Sequence, residues 1–300
     1  MSRQPIVLKS QVVPGSHPGP HLLITGGIHG DEFEPMAAIR RLAIAPELAN
    51  LRGKLTLVPV VNEAAFGRGS RVADDGLDLA RTCPGRPDGT ITEQTAHYLS
   101  ELIRAADYFI DLHTGGTALS VWPLTGYMLH PRPDVLEKQR AMARAFNLPV
   151  IWGTDASLNG RSMSVARDAN VPAIYAEYLG GGRASAEGID AYIRGCLNVM
   201  NSLGMLDLPQ TTSNVQFVVE DPRPNSGHMQ SNYPSPADGY FEPAVELGQP
   251  ISIGQPLGWI IDPLGQTRHE ILAAQTGRIL VLRTFPAAHL NDSLAVILEL

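Results

Sequence analysis

The chain is short of lysine, cysteine and long apolar runs, and each shortage removes a class of protein. Lysine occurs three times, at Lys9, Lys54 and Lys138, against 20 arginines, and no run of basic residues appears anywhere. With a formal net charge of -7 there is no positive field for a phosphate backbone or an anionic lipid surface, so no nucleic-acid or membrane partner is expected. Cysteine occurs only as Cys83 and Cys196, outside any Cys-x-x-Cys spacing. Neither a disulfide framework nor a thiolate zinc site is indicated, and a reducing compartment fits. The first twenty residues carry Pro5, Pro14, Pro18 and Pro20 in place of a basic start followed by an apolar core. No later apolar run reaches the roughly 18 residues that a membrane span needs. The expectation is a cytoplasmic protein.

What is present is the composition of a loop-rich globular chain: 300 residues, 44% hydrophobic and 18% charged, with 29 Gly and 24 Pro. Up to about residue 205, short apolar runs alternate with helical patterns, which predicts crossover units and a mostly parallel sheet. The strand candidates are 21–25, 54–61, 108–112, 150–152 and 173–178, with 6–13 and 122–129 as edge or antiparallel members. The helical stretches are 35–44, 92–106, 133–146, 162–169 and 185–203, with start signals at Thr90 or Thr92 before Glu93 and at Pro35 and Pro133. After Leu206 the texture changes to apolar runs broken by Gly and Pro, read as short antiparallel strands over 215–219, 239–245, 251–253, 257–261, 278–282 and 294–298. Two domains are expected, 1–209 and 210–300.

The strongest local signal is Gly26-Gly27-Ile28-His29-Gly30-Asp31-Glu32, between the strand at 21–25 and the helix that follows. A glycine turn at the carboxyl end of a parallel strand is where open sheets place ligands, and the three-residue spacing can aim His29 and Glu32 at one point. A catalytic zinc usually takes three protein ligands and leaves a position open for water. His113, at the end of Phe109-Ile110-Asp111-Leu112-His113-Thr114-Gly115-Gly116, supplies the third. Asp31 or Asp111 can orient an imidazole from behind. Hydrolysis also needs a proton carrier, and Glu177 ends a strand just before Leu179-Gly180-Gly181-Gly182. Between these segments, the glycine-punctuated stretch 62–85 carries Arg68, Arg71 and Arg81, of which Arg71 or Arg68 can stabilise an oxyanion and Arg81 can grip a carboxylate.

Taken together, the His29/Glu32 turn, the 62–85 loop, Asp111-Leu112-His113-Thr114-Gly115 and Glu177-Tyr178-Leu179-Gly180-Gly181 resemble the succinylglutamate desuccinylase/aspartoacylase family of the zinc carboxypeptidase clan. The likeness covers essentially the whole chain, and the layout is closest to the branch of bacterial deacetylases of N-acetylated diaminobutyrate. The resemblance implies an α/β zinc-hydrolase core, with a mostly parallel or mixed sheet flanked by helices and a smaller all-β C-terminal barrel of biotinyl/lipoyl type. It implies one zinc ion per chain on His29, Glu32 and His113, Glu177 as general base and acid, and Arg71 polarising the scissile carbonyl. Asn62, Arg68 and Arg81 fall on the substrate side, with Arg81 matching the family's carboxylate-binding arginine and Arg68 off the matching position.

One departure matters: the family's Asp-Leu-Asn-Arg is Asp78-Leu79-Ala80-Arg81 here, and Cys83 stands where the family usually has Phe. An amide partner lost from a polar site costs roughly 1 to 3 kcal/mol when a substrate group is left unpaired, so a changed substrate is expected. A carrier role for the C-terminal region is excluded, because no lysine follows Lys138. That region is expected to narrow the cleft or make contacts in a homo-oligomer, and His228 and Tyr233 lie on a polar loop within reach of the site. The leading expectation is a zinc-dependent deacylase of a small N-acyl amino acid. A zinc carboxypeptidase on short peptides and a non-catalytic zinc-binding protein are the alternatives.

Overall fold

Residues rich in Val, Ile and Leu form the strands, and the helices between them cover both faces of the sheet they build. The computed structural model describes residues 6–229 and 232–300; residues 1–5, and 230–231 within the polar loop, lie outside the described residues. In chain order the first part comprises β1 (Gln11–Pro14), β2 (His17–Thr25), α1 (Phe33–Leu42), β3 (Arg52–Val58), α2 (Glu63–Arg68) and α3 (Ile91–Arg104). Then come β4 (Tyr108–His113), β5 (Leu119–Met128), α4 (Pro133–Phe146), β6 (Val150–Thr154), α5 (Ser162–Asp168), β7 (Ala173–Gly180), α6 (Ala186–Ser202) and β8 (Phe217–Asp221). The last part is all strand: β9 (Gly239–Pro243), β10 (Pro250–Ile251), β11 (Pro256–Ile261), β12 (Arg268–Leu272), β13 (Gly277–Arg283), β14 (Ala287–Ala288) and β15 (Ala295–Leu298).

An 11-stranded mixed sheet runs β1-β3-β2-β4-β7-β5-β13-β10, with β6 and then β8 added beside β5, and β15 beside β13. Strands β3, β2, β4 and β7 are mutually parallel. Alternation along them sorts the core into two layers. Leu22, Ile24, Ile110 and Ile174 face a cluster with Phe146 and Tyr192 of α4 and α6, while Leu23, Phe109 and Ala173 face Leu99 and Ile103 of α3 and Val165 of α5. Helix α3 starts at the capping box that the sequence pointed to: Thr90 accepts the Glu93 N–H and the Glu93 carboxylate accepts the Thr90 N–H. No helix among the described residues is long and apolar enough to cross a membrane.

Strand β5 divides its length between two neighbours. Its start pairs with β13, Val121 opposite Val281, and its end pairs with β6, Leu124 opposite Val150. The switch falls at Trp122-Pro123, where the register against β7 also shifts, and a proline there has no N–H to give to a ladder. A second, four-stranded antiparallel sheet, β12-β11-β9-β14, packs Phe241, Leu257 and Ile260 onto Ile279, Leu282 and Ile297 of the larger sheet.

Two expectations are corrected here. The segment expected as an antiparallel strand at 215–219 is β8, which runs parallel to β6 in the central sheet. Its Glu220 is held by the Tyr127 hydroxyl at 2.7 Å and by Arg140 Nε and Nη2, each at 2.7 Å, which anchors the strand on the α4 side. Strand β12 was not among the expected strands, because Arg268-His269-Glu270 is polar on both faces. Cys83 and Cys196 are free and buried, and burial pushes the Cys83 thiol up to about 12.

Candidate active site and metal centre

Adjacent parallel strands β2 and β4 end side by side, and their carboxyl ends deliver the cluster. The turn after β2 carries His29 and places Glu32 at the N-cap of α1, while β4 ends on His113, whose carbonyl accepts the Tyr192 hydroxyl. The turn depends on Gly30: a Cβ there would lie 2.1 Å from the Ala65 carbonyl carbon, so any larger residue would push α2 off the turn. Ligand atoms of His29, Glu32 and His113 all lie within 4.8 Å of one another. Glu32, 1% exposed, faces one imidazole with each oxygen, His29 Nδ1 at 2.6 Å and His113 Nδ1 at 3.1 Å.

Each imidazole is backed by a carboxylate on its other nitrogen. His113 Nε2 lies 3.1 Å from Asp111 Oδ2, and His29 Nε2 lies 3.3 Å from Asp78 Oδ1. Asp111 is itself pinned by the Thr25 hydroxyl at 2.7 Å and by the Ser162 hydroxyl. Asp78 also accepts Arg71 Nε and Nη2 at 3.2 and 2.9 Å, so one carboxylate ties the His29 ring to the Arg71 guanidinium. Burial alone would raise the Glu32 carboxyl, yet the two imidazoles hold it well below the usual carboxylate range. Burial likewise opposes charge on His113, but Asp111 and Glu32 raise its proton affinity well above the ordinary value. This is a point that demands positive charge. Two imidazoles and a carboxylate with carboxylates behind them are the donor set of a divalent cation such as zinc, and the residues fit that group.

Glu177 stands opposite His113 in the β4–β7 register and is 7% exposed, with Oε2 buried and lacking a hydrogen-bond partner among the described residues. Burial pushes its carboxyl upward, only partly countered by His113. Two chambers meet at Glu177, Arg71 and Met229. The larger, about 300 Å³, is bounded by Asp31, the 114–118 turn and residues 291–293 of the C-terminal part. The smaller, about 80 Å³, contains Arg81 and Arg161. Burial and the nearby Arg81 charge lower the Arg161 guanidinium to about 10, and its Nε has no partner among the described residues. Such a chamber suits a carboxylate.

The family profile of the succinylglutamate desuccinylase/aspartoacylase catalytic domain matches residues 18–203. The chain belongs to that family. It is 31% identical over 291 residues to the N-alpha-acetyl-L-2,4-diaminobutyric acid deacetylase of Halomonas elongata, covering 94% of this chain and 82% of that one. Among solved structures, a succinylglutamate desuccinylase from Silicibacter sp. superposes with a TM-score of 0.88 at 26% identity, covering 96% of this chain and 87% of that one. The product-bound ectoine utilization protein EutE (DoeB) from Ruegeria pomeroyi gives 0.88 at 27% identity, covering 98% and 89%.

Within this family frame, the structure brings His29, Glu32, His113, Glu177, Arg71 and Arg81 to one cleft. Asn62 and Arg68, expected beside the substrate, line neither chamber. Asn62 caps α2, its Oδ1 accepting the Ala65 N–H at 3.1 Å, because the first turn of a helix leaves N–H groups without partners. Arg68 is exposed on the far end of that helix and pairs with Asp74. Asp111 backs an imidazole, whereas Asp31 accepts the Thr117 N–H at 2.8 Å. On the polar loop, Gly227 and Met229 line the small chamber, but the Tyr233 hydroxyl turns away and accepts the Ala274 N–H. Sequence reasoning missed Asp78 and Arg161. Asp78 heads the Asp-Leu-Ala-Arg stretch already singled out, so its signal was present; Arg161 sits in a loop with no periodicity to mark it.

Proposed function

We propose that this chain hydrolyses the amide bond of a small N-acyl amino acid, with one zinc ion held by His29, Glu32 and His113. The observation that carries the reading is the shared Glu32 carboxylate, one oxygen on each histidine Nδ1, with both rings backed by a second carboxylate. The deacetylase activity in the name of the Halomonas relative supports it. Zinc bound there would act as a Lewis acid beside the acyl carbonyl and lower the pKa of a water to roughly 7.

The remaining work falls to the chain's own side chains. Glu177 takes a proton from the attacking water and returns one to the departing nitrogen as the C–N bond breaks, giving a carboxylic acid and a free amine. Its burial favours a carboxyl that both accepts and releases a proton near neutrality. Arg71, held in place by Asp78, donates to the oxygen that gains negative charge. Arg81 and Arg161 grip the carboxylate of the amine half in the smaller chamber, which leaves the larger chamber for the acyl half.

The test is amine release from acetyl, succinyl and longer N-acyl amino acids and from short peptides, by protein stripped with a chelator and by the same protein resupplied with zinc. The expected result is zinc-dependent cleavage of N-acyl amino acids. Release of C-terminal residues from tripeptides and longer chains would reassign the site to a carboxypeptidase. Stoichiometric zinc with no cleavage would leave a binding protein.

A further inference from the structure

The smaller chamber specifies more than a carboxylate. Beside Arg71, Arg81 and Arg161, its lining joins an apolar part made by Met128, Met163, Met229 and Ala80 to the polar side chains of Thr154, Ser162 and Tyr175. Among its lining residues the only carboxylate is Glu177, which faces the reacting bond. Met128 and Met163 are almost fully buried, so their thioethers are part of the packed interior and not surface chains folded over by chance. Ala80 removes the one amide that the family resemblance would place there, and its methyl group offers nothing to a polar substrate side chain.

We propose that the amine half of the substrate is an α-amino acid with a small uncharged apolar side chain, of the leucine, methionine or norvaline kind, seated against Met128, Met163, Met229 and Ala80. This deepens the hydrolase reading and rests on it. A second ammonium, as in diaminobutyrate, would enter a chamber lined by Arg71, Arg81 and Arg161, with Glu177 at the reacting bond as the one carboxylate among its described lining residues, and like charges repel most strongly where water is thin. A second carboxylate turned toward Met128, Met163, Met229 and Ala80 would meet thioether and methyl groups, which cannot replace its water. Methionines are flexible and polarizable and fit close to irregular apolar chains. The arrangement, an apolar wall with a few convergent charged groups at one end, orients an amino acid by its carboxylate and selects it by its side chain.

The test measures binding and turnover separately on the whole zinc-supplied protein. Calorimetry ranks the free products L-leucine, L-methionine, L-aspartate and L-2,4-diaminobutyrate, and kcat/KM ranks their N-acetyl derivatives. The apolar amino acids should bind, and their derivatives turn over, better by about tenfold or more. Equal ranking, tighter binding of diaminobutyrate or aspartate, or no binding of any amino acid overturns the assignment. If the apolar products bind as expected and no N-acyl derivative is cleaved, the hydrolase reading falls while the chamber assignment stands. In A80D, which sets a carboxylate in the wall, the preference should move toward diaminobutyrate by about tenfold or more; an unmoved preference counts against the chamber as the selective element.

Discussion

At the ligand end of the cleft the inward polar atoms are satisfied within the protein; at the substrate end several are not. Both nitrogens of His29 and His113 and both oxygens of Glu32, Asp111 and Asp78 have partners. Among the described residues, Glu177 Oε2, Arg161 Nε and Asp31 Oδ1 in the chamber linings are buried with no partner, as are Asn62 Nδ2, Glu34 Oε2 and Thr125 Oγ1 outside them. An unpaired buried polar atom costs free energy, about 1–3 kcal/mol in protein mutational data, and one that lines a chamber is open to a bound molecule that completes it. The difference separates preorganisation from recognition. The ligand end is hydrogen-bonded before anything binds, and the chamber linings keep polar atoms open.

The largest effect that would break this contrast comes from Glu177→Gln. Zinc content should stay stoichiometric while kcat falls roughly 10²- to 10⁴-fold, and a kcat near that of the parent would remove Glu177 from proton transfer. Next in size is Asp78→Asn, which weakens the carboxylate behind His29 and loosens Arg71 together. Zinc affinity, read by competition with a chromophoric chelator, should fall about 10- to 100-fold. Unchanged affinity would mean that the His29 ring is positioned by the turn alone. Arg161→Met removes a cation from the substrate end, and KM should rise roughly 10- to 100-fold, in line with a charged hydrogen bond of about 1.5–3 kcal/mol, with kcat nearly unchanged. A drop confined to kcat would instead place Arg161 in the chemical step. The smallest effect is expected from Asn62→Ala, which removes a helix cap from a position outside both chambers. Unfolding free energy should decrease by about 1 kcal/mol while KM stays the same, and a raised KM would return Asn62 to the substrate side.

The same contrast tracks what was legible before folding. His29, Glu32 and His113 could be read from the chain because they sit at or beyond a strand end near glycine, and Glu177 because it lies among the last residues of β7, which runs into Gly180-Gly181-Gly182; a strand running into glycine is a local pattern. Asn62 shows the converse. A polar residue in a loop reads as available for a substrate, and only the helix that follows shows its Oδ1 accepting the Ala65 N–H, while Nδ2 is buried with no partner among the described residues. The parallel pairing of β8 with β6 was equally hidden, since short apolar runs look alike whichever direction their partner runs.

By itself, then, the chain's order of residues determined the alternating strands and helices, the all-strand C-terminal part, the candidate residues His29, Glu32, His113 and Glu177, and an alanine at position 80. Tertiary structure alone decided which carboxylate backs which imidazole, that Arg161 joins Arg81, and that β13 is hydrogen-bonded to β5 so that the C-terminal part borders the cleft. The His29–Asp78 and Asp111–Ser162 contacts join residues 49 and 51 apart in the chain. Nothing periodic links such positions. Side chains so far apart meet only when packing of the intervening helices and strands closes the distance.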